Sequence, residues 1–184
     1  MDQYTQEADP TSNMTEATGM MKDIHVERVA KPDVDELLEF YRRQKYVTPN
    51  RREKLQHMLD NTFCFVAARR NGELIGVARG VTDGCWGRLA ECKLDPSCQG
   101  PACVTKLGGR IEHDASGVAK RMASLVINAL LDFGIERIDA VAYGTEVDFC
   151  EELGFKPLPG VVAMELVSEA EVPDSGAAAS TAAT

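Results

Sequence analysis

The spacing of apolar residues along the chain switches between a period of two and a period near three and a half, and each switch marks an element. Residues 24–29 alternate as a half-buried strand does. Pro32-Asp33 then opens a helix with Val34, Leu37, Leu38 and Tyr41 on one face. A second helix starts near Asn50, whose amide suits an N-cap, and carries Leu55, Met58 and Leu59 on its apolar side. Residues 63–68 read as a strand closed by Asn71-Gly72. Two further strands lie within ELIGVARGVTDGCWGRLAECKLDPSCQG (residues 73–100), joined by a tight Thr82-Asp83-Gly84 turn; Asp-Gly between apolar runs is a hairpin signal. Residues 118–133 form the strongest helix. Ala119, Met122, Leu125, Val126, Ala129, Leu130 and Phe133 recur at three- and four-residue spacing, and Gly134 supplies the stop. A buried strand over 138–143, a short helix over 145–153 ended by Gly154, and a last strand over 161–166 complete the order β, α, α, β, β, β, α, β, α, β, with no internal repeat.

Residues 1–22 are polar and lack periodicity, and residues 168–184 are mostly Ala, Ser and Thr, so both are expected to be disordered tails. Residues 23–167 remain for one domain, a size that buries roughly two-thirds of its unfolded surface. A net charge of −9 argues against nucleic acid or an anionic membrane as partner and suits a cationic substrate such as an amine. No apolar run approaches the roughly 18 residues of a membrane span. The first residues lack the basic and apolar regions of a signal peptide, so a cytoplasmic location is expected.

Six cysteines (64, 85, 92, 98, 103 and 150) are expected to be reduced, and no metal site is expected. Cys98 and Cys103 are not spaced as the C-x-x-C pairs of zinc ribbons; a redox pair or metal site on their loop is the weaker alternative. There is no G-x-S-x-G elbow, H-E-x-x-H helix or Walker loop, so hydrolase, zincin and triphosphatase readings lack support.

Gly76-Val77-Ala78-Arg79, Val81-Thr82-Asp83-Gly84, Leu89-Ala90 and Asp95-Pro96 fit a pattern G-x-A-R-x-V-T-D-G … L-A-x-x-x-L-x-P-x-x-Q-G. Glu151-Glu152-Leu153-Gly154-Phe155 is similar to Y-E-K-L-G-F. Both resemble signatures of the GNAT superfamily of N-acetyltransferases, and the resemblance spans about residues 24–166. It implies a single α/β domain of the acyl-CoA N-acyltransferase fold, a mixed twisted sheet flanked by helices on both faces. It also implies transfer of an acetyl group from acetyl-CoA to a primary amine, on a small molecule or a protein, by direct attack. Homodimers are frequent in that superfamily.

In such proteins a loop of the form Q/R-x-x-G-x-G/A opens a helix and cradles the cofactor pyrophosphate with backbone N–H groups. Two stretches compete for that part. Gln99-Gly100-Pro101-Ala102-Cys103-Val104 begins correctly but has Pro101, which lacks a donor, and no later glycine. Asp114-Ala115-Ser116-Gly117-Val118-Ala119, followed by Lys120, keeps the glycine and leads into the strong helix. Its departure is Asp114, a carboxylate that repels phosphate. The second stretch is the better match, at the cost of an insertion ending in Gly108-Gly109-Arg110. Lys106, Arg110, Lys120 and Arg121 would restore positive charge. The plain alternative is one long helix over 110–133 interrupted by Gly117. The resemblance further places the pantetheine arm on backbone groups of Cys92, Lys93 and Leu94.

Amine acetylation needs a base for the ammonium proton and a donor for the leaving thiolate. Glu91 on the fourth strand is the candidate base, since the resemblance implies an acid on that strand facing the acceptor; a solvent-facing strand carboxylate is the plain alternative. Where the resemblance implies a tyrosine donor, this chain has Cys150, and Tyr143 is the substitute; a thiol is a weaker hydrogen-bond donor than a phenol. His25, His57 and His113 read as surface residues. The departures at Pro101-Ala102, Asp114 and Cys150 fall where the chemistry works, so a catalytically silent binding or regulatory module is the second reading.

Overall fold

The computed structural model describes residues 23–30, 32–45, 51–104, 108–164 and 166. The two tails, Asn50 and Lys106 lie outside the described residues. The elements are β1 (Ile24–Arg28), α1 (Val34–Arg43), α2 (Arg52–Asp60), β2 (Cys64–Arg70), β3 (Glu73–Thr82), β4 (Gly87–Leu94), a 3-10 turn (Pro96–Cys98), α3 (Val118–Asp132), β5 (Ile138–Ala140) and α4 (Glu146–Glu152). The strands form one sheet in the order β1-β2-β3-β4-β5. Every neighbouring pair is antiparallel except β4–β5, which is parallel.

Helices cover both faces. Cys64, Val66, Ala68, Ile75 and Leu89 pack with Val118, Met122, Val126 and Leu130 on the α3 side. Phe65, Ala67, Leu74 and Val77 pack with Leu37, Phe40 and Tyr41 of α1 and Leu55 of α2 on the other. β2 is thus buried on both faces, which is why it reads as a continuous apolar run. α1 begins where Asp33 accepts the Glu36 N–H at 2.8 Å, and Asp35 with Glu36 at its start and Arg42 with Arg43 at its end complement its dipole. Ion pairs from Glu36 to Arg69 and from Arg43 to Glu73 tie it to the sheet.

Several sequence expectations are corrected. The hairpin turn extends to Trp86: Asp83 Oδ1 accepts the N–H groups of Cys85 and Trp86, and the Thr82 hydroxyl bonds the Trp86 carbonyl at 2.6 Å. Side-chain acceptors at Asp83 stabilise a longer loop than the Asp-Gly pair suggested. α2 has Arg51 at its N-cap, without a side-chain cap bond. α3 begins at Val118, because Gly117 takes φ 68°, so the long helix over 110–133 does not form. The strand expected over 161–166 is not formed by the described residues there: Val161, Val162, Met164 and Leu166 are exposed and unpaired with the sheet. An apolar run alone does not make a strand without a partner edge.

α3 can lie close to the sheet because β3 presents glycines to it. A Cβ added at Gly80 would sit 2.6 Å from Val126 Cγ1, and one at Gly76 would sit 2.9 Å from Met122 Cε. Gly80→Ala is therefore expected to cost about 1–3 kcal/mol. Urea denaturation checks this, and a variant as stable as the parent would show that α3 moves away freely.

Candidate active site

β4 pairs with β5 only over Gly87–Leu89, opposite Ile138–Ala140. Beyond Leu89 the two parallel strands part, and the site is built around that opening. A bulge sits at the same place: Gly80 opposes Leu89 but Arg79 opposes Glu91, so Ala90 is the extra residue. A bulge shifts the side-chain phase of a strand. Leu89 points to the α3 side, and Glu91, two residues on, points to the α1 side instead.

There Glu91 is buried, and its Oε2 accepts the Tyr41 hydroxyl at 2.7 Å. Arg79 Nε lies 3.5 Å from the same oxygen, an ion-pair distance. Neither Arg79 Nε nor Glu91 Oε1 has a hydrogen-bond partner among the described residues. Burial pushes the Glu91 carboxyl above the usual carboxylate range, against the opposing pull of Tyr41, Arg79 and Lys93.

The next residues line the opened edge. Cys92 turns its thiol to the α3 side, 3.8 Å from the Ala119 carbonyl, and burial pushes that thiol far up. Asp95 donates its N–H to Ile75 of β3, so by alternation the backbone groups of Cys92 and Leu94 face away from β3, toward the opening. Leu94 is engaged there on both counts. Its N–H donates to the Gly109 carbonyl at 2.9 Å, and its carbonyl accepts from Gln99 Nε2 at 2.9 Å. Gln99, wholly buried, also bonds the Arg110 carbonyl at 2.7 Å and accepts the N–H groups of Glu112 and His113. One amide thus pins the stretch after the insertion against the end of β4.

That stretch leads into the N-terminus of α3. Asp114 accepts the Ala119 N–H at 3.1 Å and the Lys120 N–H at 2.8 Å, one on each carboxylate oxygen. The Ser116 hydroxyl bonds the Cys98 carbonyl and accepts from the Val118 N–H at 3.3 Å. The free N–H groups with which a helix start holds an anion are satisfied by the chain itself. Gly117 leaves open space where a Cβ would stand, and Ala115 is exposed.

Across the opening, Glu146 at the start of α4 is buried, accepts the Tyr143 N–H, and lies 3.8 Å from Lys93 Nζ. The exposed Tyr143 ring sits under the Arg110 guanidinium, 4.9 Å from its centroid. Cys150 on α4 is half-buried, its thiol pushed up by burial and then by Glu146. Phe155 of the Leu-Gly-Phe end packs on the core, with its N–H on the Cys150 carbonyl.

The expected site residues therefore fall into three groups around one opening: Glu91 to Leu94 on β4, residues 114–120 at the start of α3, and Tyr143 with Cys150 on the far side. The basic residues are largely spoken for, since Lys120 Nζ reaches Glu152 at 4.0 Å and Arg110 covers Tyr143. Gln99-Gly100 opens no helix. His25, His57 and His113 are exposed. All six cysteines are free thiols, and among the described residues no group of three potential ligands could hold a metal ion. Sequence reasoning missed the parts played by Tyr41, Arg79 and Glu146, and it read Gln99 as the start of a cofactor loop rather than as a buried anchor. Tyr41 was legible only as an apolar position, although a buried phenol needs a partner.

No protein-family model and no curated protein matches the sequence. Solved structures match in fold. The chain is similar to a GNAT-family acetyltransferase from Streptococcus pneumoniae, with TM-score 0.61 and 14% identity over 79% of this chain and 98% of that one. An aminoglycoside acetyltransferase from an uncultured soil metagenomic sample, in complex with sisomicin, matches with TM-score 0.59 and 15% identity over 80% and 97%. An aminoglycoside N-acetyltransferase in complex with CoA matches with TM-score 0.56 and 15% identity over 78% and 94%. The fold is that of the GNAT acetyltransferases. Among the described residues no helix is long and apolar enough to cross a membrane.

Glu91 binds its proton more readily in the folded chain than in the unfolded one, so its ionisation costs stability as pH rises through the folded value. Glu91→Gln is expected to melt a few degrees above the parent near pH 7.5, with the gap closing below the ordinary carboxylate range. Thermal melts across pH test this; a gap that does not change with pH would remove the burial argument.

Proposed function

We propose that this chain, with its GNAT acetyltransferase fold, transfers an acetyl group from acetyl-CoA to a primary amine. The observation that carries the reading is Glu91. It is a buried carboxylate just past the point where β4 leaves β5, fixed through one oxygen by Tyr41, with no hydrogen bond to its other oxygen among the described residues. A carboxylate raised by desolvation is a stronger base, and a general base works best with a pKa nearer the working pH. The amine approaches from the side of α1 and α2, where Glu91 takes its ammonium proton, directly or through one water. The aminoglycoside acetyltransferases among the structural neighbours have amine acceptors, in keeping with that substrate class.

The donor side is the opened edge of β4. Backbone groups of Cys92 and Leu94 line the acyl-donor arm, and the N–H groups at the start of α3 hold the phosphates. Acetyl-CoA supplies the activated acetyl thioester. Tyr143 gives the proton that the departing thiolate needs, since it is exposed on the far rim and a phenol is the better donor. Cys150 serves less well, because burial makes its thiol a weaker acid. The silent-module reading is favoured by one observation, the Asp114 carboxylate on the α3 N–H groups.

Coenzyme A release measured with acetyl-CoA and a panel of primary amines tests the reading. Glu91→Gln is expected to lower kcat about a hundred- to ten-thousandfold, removing the acidic limb of the pH profile. Tyr143→Phe is expected to lower kcat with little change in the KM for amine. No acetyl transfer to any amine, small or on protein, would sink the proposal.

A further inference from the structure

The two places where the proposed donor would touch the chain are both filled by one short stretch of the chain. At one end, Gly109 presents its carbonyl to the Leu94 N–H on the open edge of β4, at 2.9 Å. At the other, Asp114 presents a carboxylate to two N–H groups at the start of α3. A carbonyl and an anion, five residues apart in sequence, stand where an amide-bearing arm and a phosphate would stand. The stretch is anchored: Gln99 holds Arg110, Glu112 and His113, and the Gly108 N–H donates to the Gln44 carbonyl at the end of α1. Arg110 continues across the opening to Tyr143.

Resting on the acetyl-CoA reading above, we infer that Asp114 is an affinity-determining residue that acts as an intrachain stand-in for the donor phosphate. Donor binding requires the carboxylate to leave Ala119 and Lys120, and its charge opposes the incoming phosphate while it stays near. A carboxylate and a phosphate cannot share the same N–H donors, and at that separation their repulsion is poorly screened. Residues 108–114 then move as the donor arm takes Leu94. Resting affinity is low by design of this contact, and whatever draws Asp114 away raises it.

The test compares the parent with Asp114→Gln and Asp114→Ser; the serine variant keeps a short neutral cap, so loss of the helix start does not obscure the result. Each is titrated calorimetrically with acetyl-CoA and melted with and without inorganic pyrophosphate. Both variants are expected to bind acetyl-CoA about ten- to hundredfold more tightly, the worth of releasing a charged hydrogen-bond pair. Both should gain a melting-temperature rise with pyrophosphate that the parent lacks. If the parent binds acetyl-CoA as tightly as the variants, Asp114 is only a helix cap and the inference falls while the proposed function stands. If the variants respond to pyrophosphate but not to acetyl-CoA, Asp114 covers an anion site that is not a donor site, and the inference falls together with the proposed function. If no protein responds to either ligand, both fall.

Discussion

Opposite Arg79 and Gly80, β4 carries one residue more than its partner, and the rest of the site depends on that bulge at Ala90. Without it, strict alternation would send Glu91 to the same side as Leu89, into the aliphatic packing of α3, where no partner for a carboxylate exists. With it, Glu91 faces Tyr41 and Arg79. The pairing with β5 also ends there, after Leu89, so the bulge both aims the carboxylate and coincides with the opening beside it. Bulges terminate pairing and re-aim side chains next to functional sites, and this one does both in a single residue.

Much of the scaffold was legible because its signals are local. The apolar face of α1 was read from its spacing, and Val34, Leu37, Leu38 and Tyr41 are all buried. Asp33 announced the start of the same helix, and α3 ends within a residue of where Phe133-Gly134 placed it. The pairings of β2 with β3 and of β3 with β4 follow from the short connections between them. What was not legible is non-local. A bulge is one residue of register between two strands, and LAEC carries no mark of it. The part played by Gln99 depends on four partners between Leu94 and His113. Residues 161–166 are an apolar run like a strand, yet the described residues among them have no sheet edge, since pairing needs a second chain segment that an apolar run does not name.

The departures from the cofactor-loop pattern look like decay when taken one at a time. Together they have a different logic. Asp114 does not leave the α3 N–H groups bare, as random loss would; it satisfies them with good geometry. Gln99 is buried with all its polar atoms used, although burying an amide is costly unless it is fully bonded. Gly109 and Asp114 instead fill both ends of the track proposed for the donor.

The sheet separates two tasks. The α1 side holds Glu91, whose burial costs stability once it is ionised, in keeping with the role of base proposed for it. The start of α3 holds the contacts of Asp114, and the edge of β4 holds that of Gly109. Asp114 bonds Ala119 and Lys120 of α3, whereas Glu91 bonds Tyr41 of α1, so a change that frees Asp114 breaks no bond made by Glu91. In the proposed reaction, affinity for the donor and basicity toward the acceptor meet at β4 and at the Gly108–Gln44 bond, which joins the donor-side stretch to the end of α1.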